Sequence, residues 1–162
     1  LVMGDALAVA LLDARGFTAE DFARSHPGGR LGRRLLLHIE DVMQTGERVP
    51  RVGPQTPLRD ALLEISRKGL GMTAVVDEQE QVLGIFTDGD LRRALDRGTD
   101  IHATRIEAVM TAAPQTAAAQ LLAAEAAERM ERFRINALLV VDDAGRLVGA
   151  LNMHDLLRAG VV

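Results

Sequence analysis

The 162-residue sequence has no cysteine, tryptophan or tyrosine, and its nineteen basic residues are all arginine except Lys68. Without cysteine there are no disulfide staples, thiolate metal ligands or cysteine nucleophiles, which fits a reducing, cytoplasmic setting. The four phenylalanines provide no stacking platform of the kind that binds single-stranded nucleic acid. A base-like ligand here has to lie between aliphatic side chains. Lys68 is the single candidate for Schiff-base chemistry, and it reads as the solvated end of a helix. His26, His38, His102 and His154 show no H-x-x-x-H or H-x-x-E-H spacing, which argues against a metal. The formal net charge of −4, without long runs of one sign, names no nucleic-acid partner. The opening stretch LVMGDALAVALLDARGF lacks a basic n-region, and Asp5 and Asp13 interrupt a pattern too short to span a bilayer. It reads as the end of a preceding domain, with no membrane association.

What the sequence does have is 48% hydrophobic residues, enough for a buried core. Residues 5–15 follow a helical pattern ending at Gly16, and Thr18-Ala-Glu-Asp21 opens a second short helix as a capping box. That helix stops at Ser25-His26-Pro27-Gly28-Gly29, an exposed turn followed by Arg30, Arg33 and Arg34.

From Ile39 a repeat takes over. Val75-Val76-Asp77 recurs as Val140-Val141-Asp142, Gly84 as Gly149 and Asp90-Leu91 as Asp155-Leu156, all at an offset of 65; Val42-Met43 recurs as Val109-Met110 at 67. One copy therefore carries two extra residues around Gly46-Glu47-Arg48. In the first copy Val49–Val52 is a brief strand, and Pro57 at N1 starts a helix with Leu58, Ala61, Leu62 and Ile65 on one face. Thr73–Val76 and Val82–Phe86 are strands joined by a polar turn, and Asp88–Arg97 is a closing helix. The second copy repeats the order with Gln115–Ala117, Ala119–Arg132, Ala137–Val141, Leu147–Leu151 and His154–Ala159. The fold class is α/β (α+β), two β-α-β-β-α repeats packed about a pseudo-twofold axis behind a helical N-terminal remnant. The expected units are residues 1–38, 39–98 and 106–162. A unit of this size does not bury its own sheet face, so each copy needs the other.

The phrase GIFTDGDLRRAL (84–95) echoes as GALNMHDLLRAG (149–160). Thr87-x-x-Asp90 is a capping signature at a strand-to-helix junction. An Asp at a helix N-terminus also suits a ribose, whose two hydroxyls it accepts, with a phosphate on free N–H groups. The two readings are compatible, and the motif alone leaves both open.

Copies with Val-Met, a strand ending Val-Val-Asp, and G-h-h-T-x-x-D-L resemble the cystathionine-β-synthase-type (CBS) domain, which occurs in tandem and commonly binds nucleotides in the clefts between copies. The resemblance covers Ile39 to the C-terminus. It implies ligand-binding roles for Thr87, Asp90 and Asp155, with Asn152 standing where Thr or Ser is usual. Thr45 and Thr111 after each Val-Met, and Thr73, Ala74 and Ala137 entering the strands, align with ligand-facing positions; for these small residues plain packing is the alternative. The leader, GDALAVALLDARGFTAEDFARSHPGGRLGRRLL before a CBS pair, is similar to the junction in the D-arabinose 5-phosphate isomerases, where a sugar isomerase (SIS) domain precedes two CBS domains. A lone His in a Pro-Gly turn otherwise reads as a surface residue; the resemblance implies that His26 is catalytic. It implies aldose–ketose isomerisation of ribulose 5-phosphate to arabinose 5-phosphate, the entry to the lipopolysaccharide sugar Kdo, by an intact protein, with this stretch alone inactive. No cofactor is required. A nucleotide or CMP-sugar such as CMP-Kdo is the expected regulatory ligand, and the expected partners are the protein's own SIS domain and a second copy through the CBS pairs. An adenine-nucleotide energy sensor and an oligomerisation scaffold with vestigial clefts are the rival readings.

Overall fold

The computed structural model describes residues 36–162. The helices expected over 5–15 and from Thr18, and the turn holding His26, lie outside the described residues. A one-turn helix α1 (Ile39–Val42) and a 3-10 turn (Gly46–Arg48) lead into β1 (Arg51–Val52), α2 (Leu58–Lys68), β2 (Met72–Val76), β3 (Val82–Thr87) and α3 (Asp88–Asp96). A second 3-10 turn (Ile106–Ala108) precedes β4 (Thr111–Ala112), β5 (Thr116–Ala118), α4 (Ala123–Phe133), β6 (Ala137–Val141), β7 (Leu147–Asn152) and α5 (Met153–Arg158). Among the described residues no helix is long and apolar enough to cross a membrane.

Helix α2 forms where the apolar spacing demands it, with Leu58, Ala61 and Ile65 buried on one stripe. It stops at Gly69, whose φ of +72° suits glycine. Pro57 sits one position outside the helix, at the N-cap rather than N1. Helix α4 starts at Ala123, not at Ala119 as its alanine content suggests. The residues before it are drawn into pairing with the start of the first repeat. Ile39 N–H donates to Leu121 O (2.8 Å), Glu40 N–H to Ala119 O (3.0 Å) and Ala123 N–H to Leu37 O (2.7 Å). Tertiary pairing here overrides helix propensity.

The strands make two sheets, ordered β1-β2-β3-β4 and β5-β6-β7. In each, a parallel pair (β1 with β2, β5 with β6) is followed by an antiparallel hairpin (β2 with β3, β6 with β7). All five residues of β2 and the first four of β6 are buried, so these strands are covered on both faces. Side-chain alternation sorts the faces. Val75 and Phe86 pack with Leu58, Ala61 and Ile65 of α2, while Leu138, Val140 and Leu151 pack with Ala126 and Met130 of α4. Met72, Ala74 and Ile85 meet Leu139, Leu147 and Ala150 in a layer between the sheets. The hairpin ends touch as well: Val82 N–H donates to Gly145 O (3.3 Å) and Leu147 N–H to Glu80 O (2.9 Å).

The repeats also trade their leading segments. Leu37, Ile39, Val42 and Met43, at the start of the first repeat, pack in the core of the second, and Ile106, Val109 and Met110, at the start of the second, pack in the core of the first. Strand β4 adds to β3 through Thr111↔Ile85, and Gln44 forms a bridge with Ala150 of β7. Both crossings happen over a glycine. A Cβ on Gly84 would lie 2.5 Å from Met110 Sδ and 2.9 Å from Thr111 O; on Gly149 it would lie 2.5 Å from Met43 Sδ and 3.0 Å from Gln44 O. The methionine tip can move, but the carbonyl belongs to a bridging backbone.

Two consequences follow for stability. Gly149→Ala should lower unfolding free energy by about 1–3 kcal/mol, an overpacking cost, and Met43→Ala in the same chain should recover only part of it because the Gln44 carbonyl remains. Ile85→Asp and Leu139→Asp, each burying an unpaired carboxylate between the sheets, should abolish cooperative unfolding. Urea denaturation followed by circular dichroism reads both; a cooperatively melting Ile85→Asp chain would contradict the two-sheet core.

Candidate functional site

Each helix that follows a hairpin begins with a capping box. In the first repeat, Thr87 Oγ1 accepts from Asp90 N–H (3.3 Å), and the Asp90 carboxylate accepts from Thr87 N–H (2.8 Å) and the Thr87 hydroxyl (2.7 Å) on Oδ2. Its other oxygen accepts from Arg93 Nη2 (2.6 Å) and Thr111 Oγ1 (2.9 Å). Asp90 is only 5% exposed. Burial pushes its carboxyl upward, but the bonds from Thr87, Arg93 and Thr111 outweigh this and hold it below the ordinary value. All four acceptor positions of the carboxylate are in use. The one most readily exchanged is Arg93, whose side chain is 60% exposed.

Around this acid opens a cleft of about 600 Å³ built by both repeats. Thr87, Asp90, Arg93 and Thr111 form its polar wall, and Ile85, Leu70, Ile135, Ala137 and Met153 supply aliphatic surface. Size and lining suit a small organic ligand with a flat apolar part and a hydroxylated part.

The pseudo-symmetric site in the second repeat is smaller, about 340 Å³. Asp155, 7% exposed, accepts from Asn152 N–H (3.0 Å) and from Gln44 Nε2 (2.9 Å). Asn152 caps α5 with its amide oxygen, which accepts from Asp155 N–H (3.0 Å), and its amide nitrogen donates to Leu70 O of the first repeat (3.3 Å). Asn152 therefore does what Thr87 does as a cap and adds a tie across the repeats. Asn152 and His154 line both clefts.

The structure brings Thr87, Asp90, Thr111, Ala137 and Asn152 to the larger cleft, and Asn152 and Asp155 to the smaller. Thr45 lies in neither: it precedes the 3-10 turn at Gly46 and is exposed. Its neighbour Gln44 holds the place that Thr111 holds in the other copy, a correction already contained in the offset of 67 between the Val-Met pairs. Thr73 and Ala74 are fully buried in β2 and present no surface to either cleft. Sequence reasoning missed Arg93, Ile135 and Leu70. Arg93 recurs as Arg158 at the offset of 65, a visible signal; Ile135 faces Asp90, and Leu70 faces Asp155, from the opposite repeat, and neither has a local signature.

A CBS domain model matches twice, over residues 39–97 and 106–162. Arabinose 5-phosphate isomerase KdsD from Pseudomonas aeruginosa is 65% identical over 162 residues, which is 100% of this chain and 50% of that protein. The chain spans about half the length of the curated relatives it matches. Among solved structures, an uncharacterized conserved protein from Pyrococcus horikoshii is similar with a TM-score of 0.69 and 26% identity, covering 78% of this chain and 93% of its own. CBSX2, the Arabidopsis thaliana CBS-pair protein, in complex with AMP gives a TM-score of 0.66 at 24% identity over 77% of this chain and 96% of its own.

The Asp90 geometry predicts a pH signature. Because the folded carboxyl lies below its ordinary value of 3.8, its contribution to stability is present in full above that pH and disappears as the pH falls through the lower folded value. Wild type should exceed Asp90→Asn by about 1–2 kcal/mol at pH 7, and the gap should narrow in denaturation series taken progressively below pH 3.8. A gap that stays constant down to pH 2 would remove the charged network as its source.

Proposed function

The chain belongs to the CBS domain family, and we propose that its two repeats are the regulatory module of a D-arabinose 5-phosphate isomerase, binding a nucleotide or nucleotide-sugar. The observation that carries the ligand reading is the buried Asp90 carboxylate on the wall of a cleft that neither repeat forms alone. A ribose hydroxyl that displaces Arg93 takes over its hydrogen bond to the carboxylate, and the base lies between Ile85, Ile135 and Met153 in place of aromatic partners. These aliphatic walls do not select one base. CMP-Kdo is the feedback ligand in keeping with an isomerase that opens the route to Kdo. The AMP found in CBSX2 makes an adenine nucleotide the competitor to test against it.

What supports the isomerase reading is the 65% identity that runs through all 162 residues, the first 38 included. Isomerisation of ribulose 5-phosphate to arabinose 5-phosphate moves a proton between adjacent carbons through an enediol. An imidazole titrating near neutrality suits that transfer or the opening of the sugar ring, and His26 is the residue assigned to it. The CBS pair acts on this chemistry through its own SIS domain, in an assembly with further copies; by itself it is inactive.

Two measurements test the proposal. In the intact isomerase, His26→Ala should lower kcat by orders of magnitude while the melting transition of the CBS pair stays in place; near-wild-type turnover would take His26 out of the mechanism. In calorimetric titrations of CMP-Kdo and AMP, Asp90→Asn should weaken the ligand that binds by about ten- to a hundred-fold, and Asp155→Asn by less. Unchanged affinity with lowered melting would leave Asp90 as a cap alone, and the absence of any nucleotide effect would favour the scaffold reading.

A further inference from the structure

The two residues that break the repeat sit in the 3-10 turn Gly46–Arg48, and this turn lines the smaller cleft with Glu47 and Arg48. The turn is held down by Lys68 at the end of α2, whose ammonium donates to the Glu47 carbonyl. Arg67 and Arg158 reach the same cleft from α2 and α5, so among the described residues three elements deliver four cations against two carboxylates, Glu47 and Asp155. The larger cleft has two of each, with Arg93 engaged by Asp90. Among the described residues, Arg48, Arg67 and Arg158 make no ion pair with a carboxylate.

Apolar lining runs the other way. Among the described residues, Leu70 is the one large aliphatic side chain of the smaller cleft, whereas the larger has Leu70, Ile85, Ile135 and Met153. The larger cleft can enclose a base and the smaller cannot, but the smaller has the charge for a dianion. At neutral pH a phosphomonoester carries close to two charges and three acceptor oxygens, a match for several guanidinium groups. We infer that the two clefts take different classes of ligand and that the smaller one, completed by the inserted Arg48, binds a compact phosphate dianion: a sugar phosphate or free phosphate. The inference rests on the reading of the pair as a ligand sensor and divides that role between a nucleoside cleft and a phosphate cleft.

Calorimetric titration of the full 162-residue chain with ribose 5-phosphate, inorganic phosphate, ribose and adenosine tests it. Ribose 5-phosphate should bind at one site with an affinity that falls as salt is added, ribose should not bind, and saturating adenosine should not compete. Arg48→Gln and Arg158→Gln, both at exposed positions and checked by thermal melting, should each weaken the phosphate ligand by about ten- to a hundred-fold and leave adenosine unchanged. Tighter binding of ribose 5-phosphate than of inorganic phosphate identifies the sugar ester as the ligand; equal affinity identifies the phosphate group. Phosphate binding that is displaced by adenosine, or that survives both arginine changes, would overturn the inference. If adenosine binds and neither phosphate does, the inference falls and the sensor reading stands; if nothing binds, both fall.

Discussion

A sheet with helices on one face and a second sheet on the other has no side left for water, and this double burial governs the whole pair. Strand β2 has all five residues buried, in a run of Met, Thr, Ala and Val that only a neighbour on each face explains. One repeat supplies helices for the outer face and nothing for the inner, so the partner sheet is part of each repeat's core. The exchange of Ile39–Met43 and Ile106–Met110 follows from the same need, since each leader plugs the helix side of the repeat to which it does not belong. Gly84 and Gly149 are where that crossing requires a bare backbone, with each leader's methionine and following carbonyl lying against the glycine.

The clefts are a by-product of this arrangement. Because the strand ends of one repeat face the helix-to-strand turn of the other, Asp90 looks across at the Ile135–Asn136 segment and Asp155 at Gly69–Leu70. Asp90 and Asp155 are first of all caps, which hold their carboxylates at a set angle without any ligand. A pre-oriented acceptor loses little freedom on binding, so capping and recognition reinforce one another. The asymmetry between the clefts enters through a few positions: Gln44 against Thr111, Asn152 against Thr87, and the insertion that brings Arg48.

Much of this was readable along the chain. The offset of 65 defined the repeats, the apolar stripe of α2 and strands over 73–76, 82–86, 137–141 and 147–151 followed from periodicity, three of which the structure extends by one residue, and the capping acids stood out by their spacing. The misreadings have a common physical origin in contacts between repeats. Ala119 to Leu121 look helical in isolation, yet the carbonyls of Ala119 and Leu121 accept from Glu40 and Ile39 far upstream. Thr45 was aligned by residue type, where the bridge between Gln44 and Ala150 decides the register. Thr73 and Ala74 sit on a strand whose two faces are both closed, which local alternation does not reveal. The wall formed by Ile135 and Met153 depends on a rotation between the copies, which no window of sequence records.

The traded leaders also have a temporal consequence. Strand β4 follows the first repeat directly, so the sheet β1-β2-β3-β4 can close soon after Ala112 leaves the ribosome. Ile39 and Met43 must wait for Leu138, Leu151 and Leu156, more than ninety residues downstream. During synthesis these apolar side chains, at the start of the pair, stay without their seat until the second repeat has been made. Contacts of such long separation slow folding and prolong the exposure of apolar surface. Within the pair, the segment made first therefore needs the repeat made last, and docking it joins the N-terminal side of the pair to the repeat at its far end.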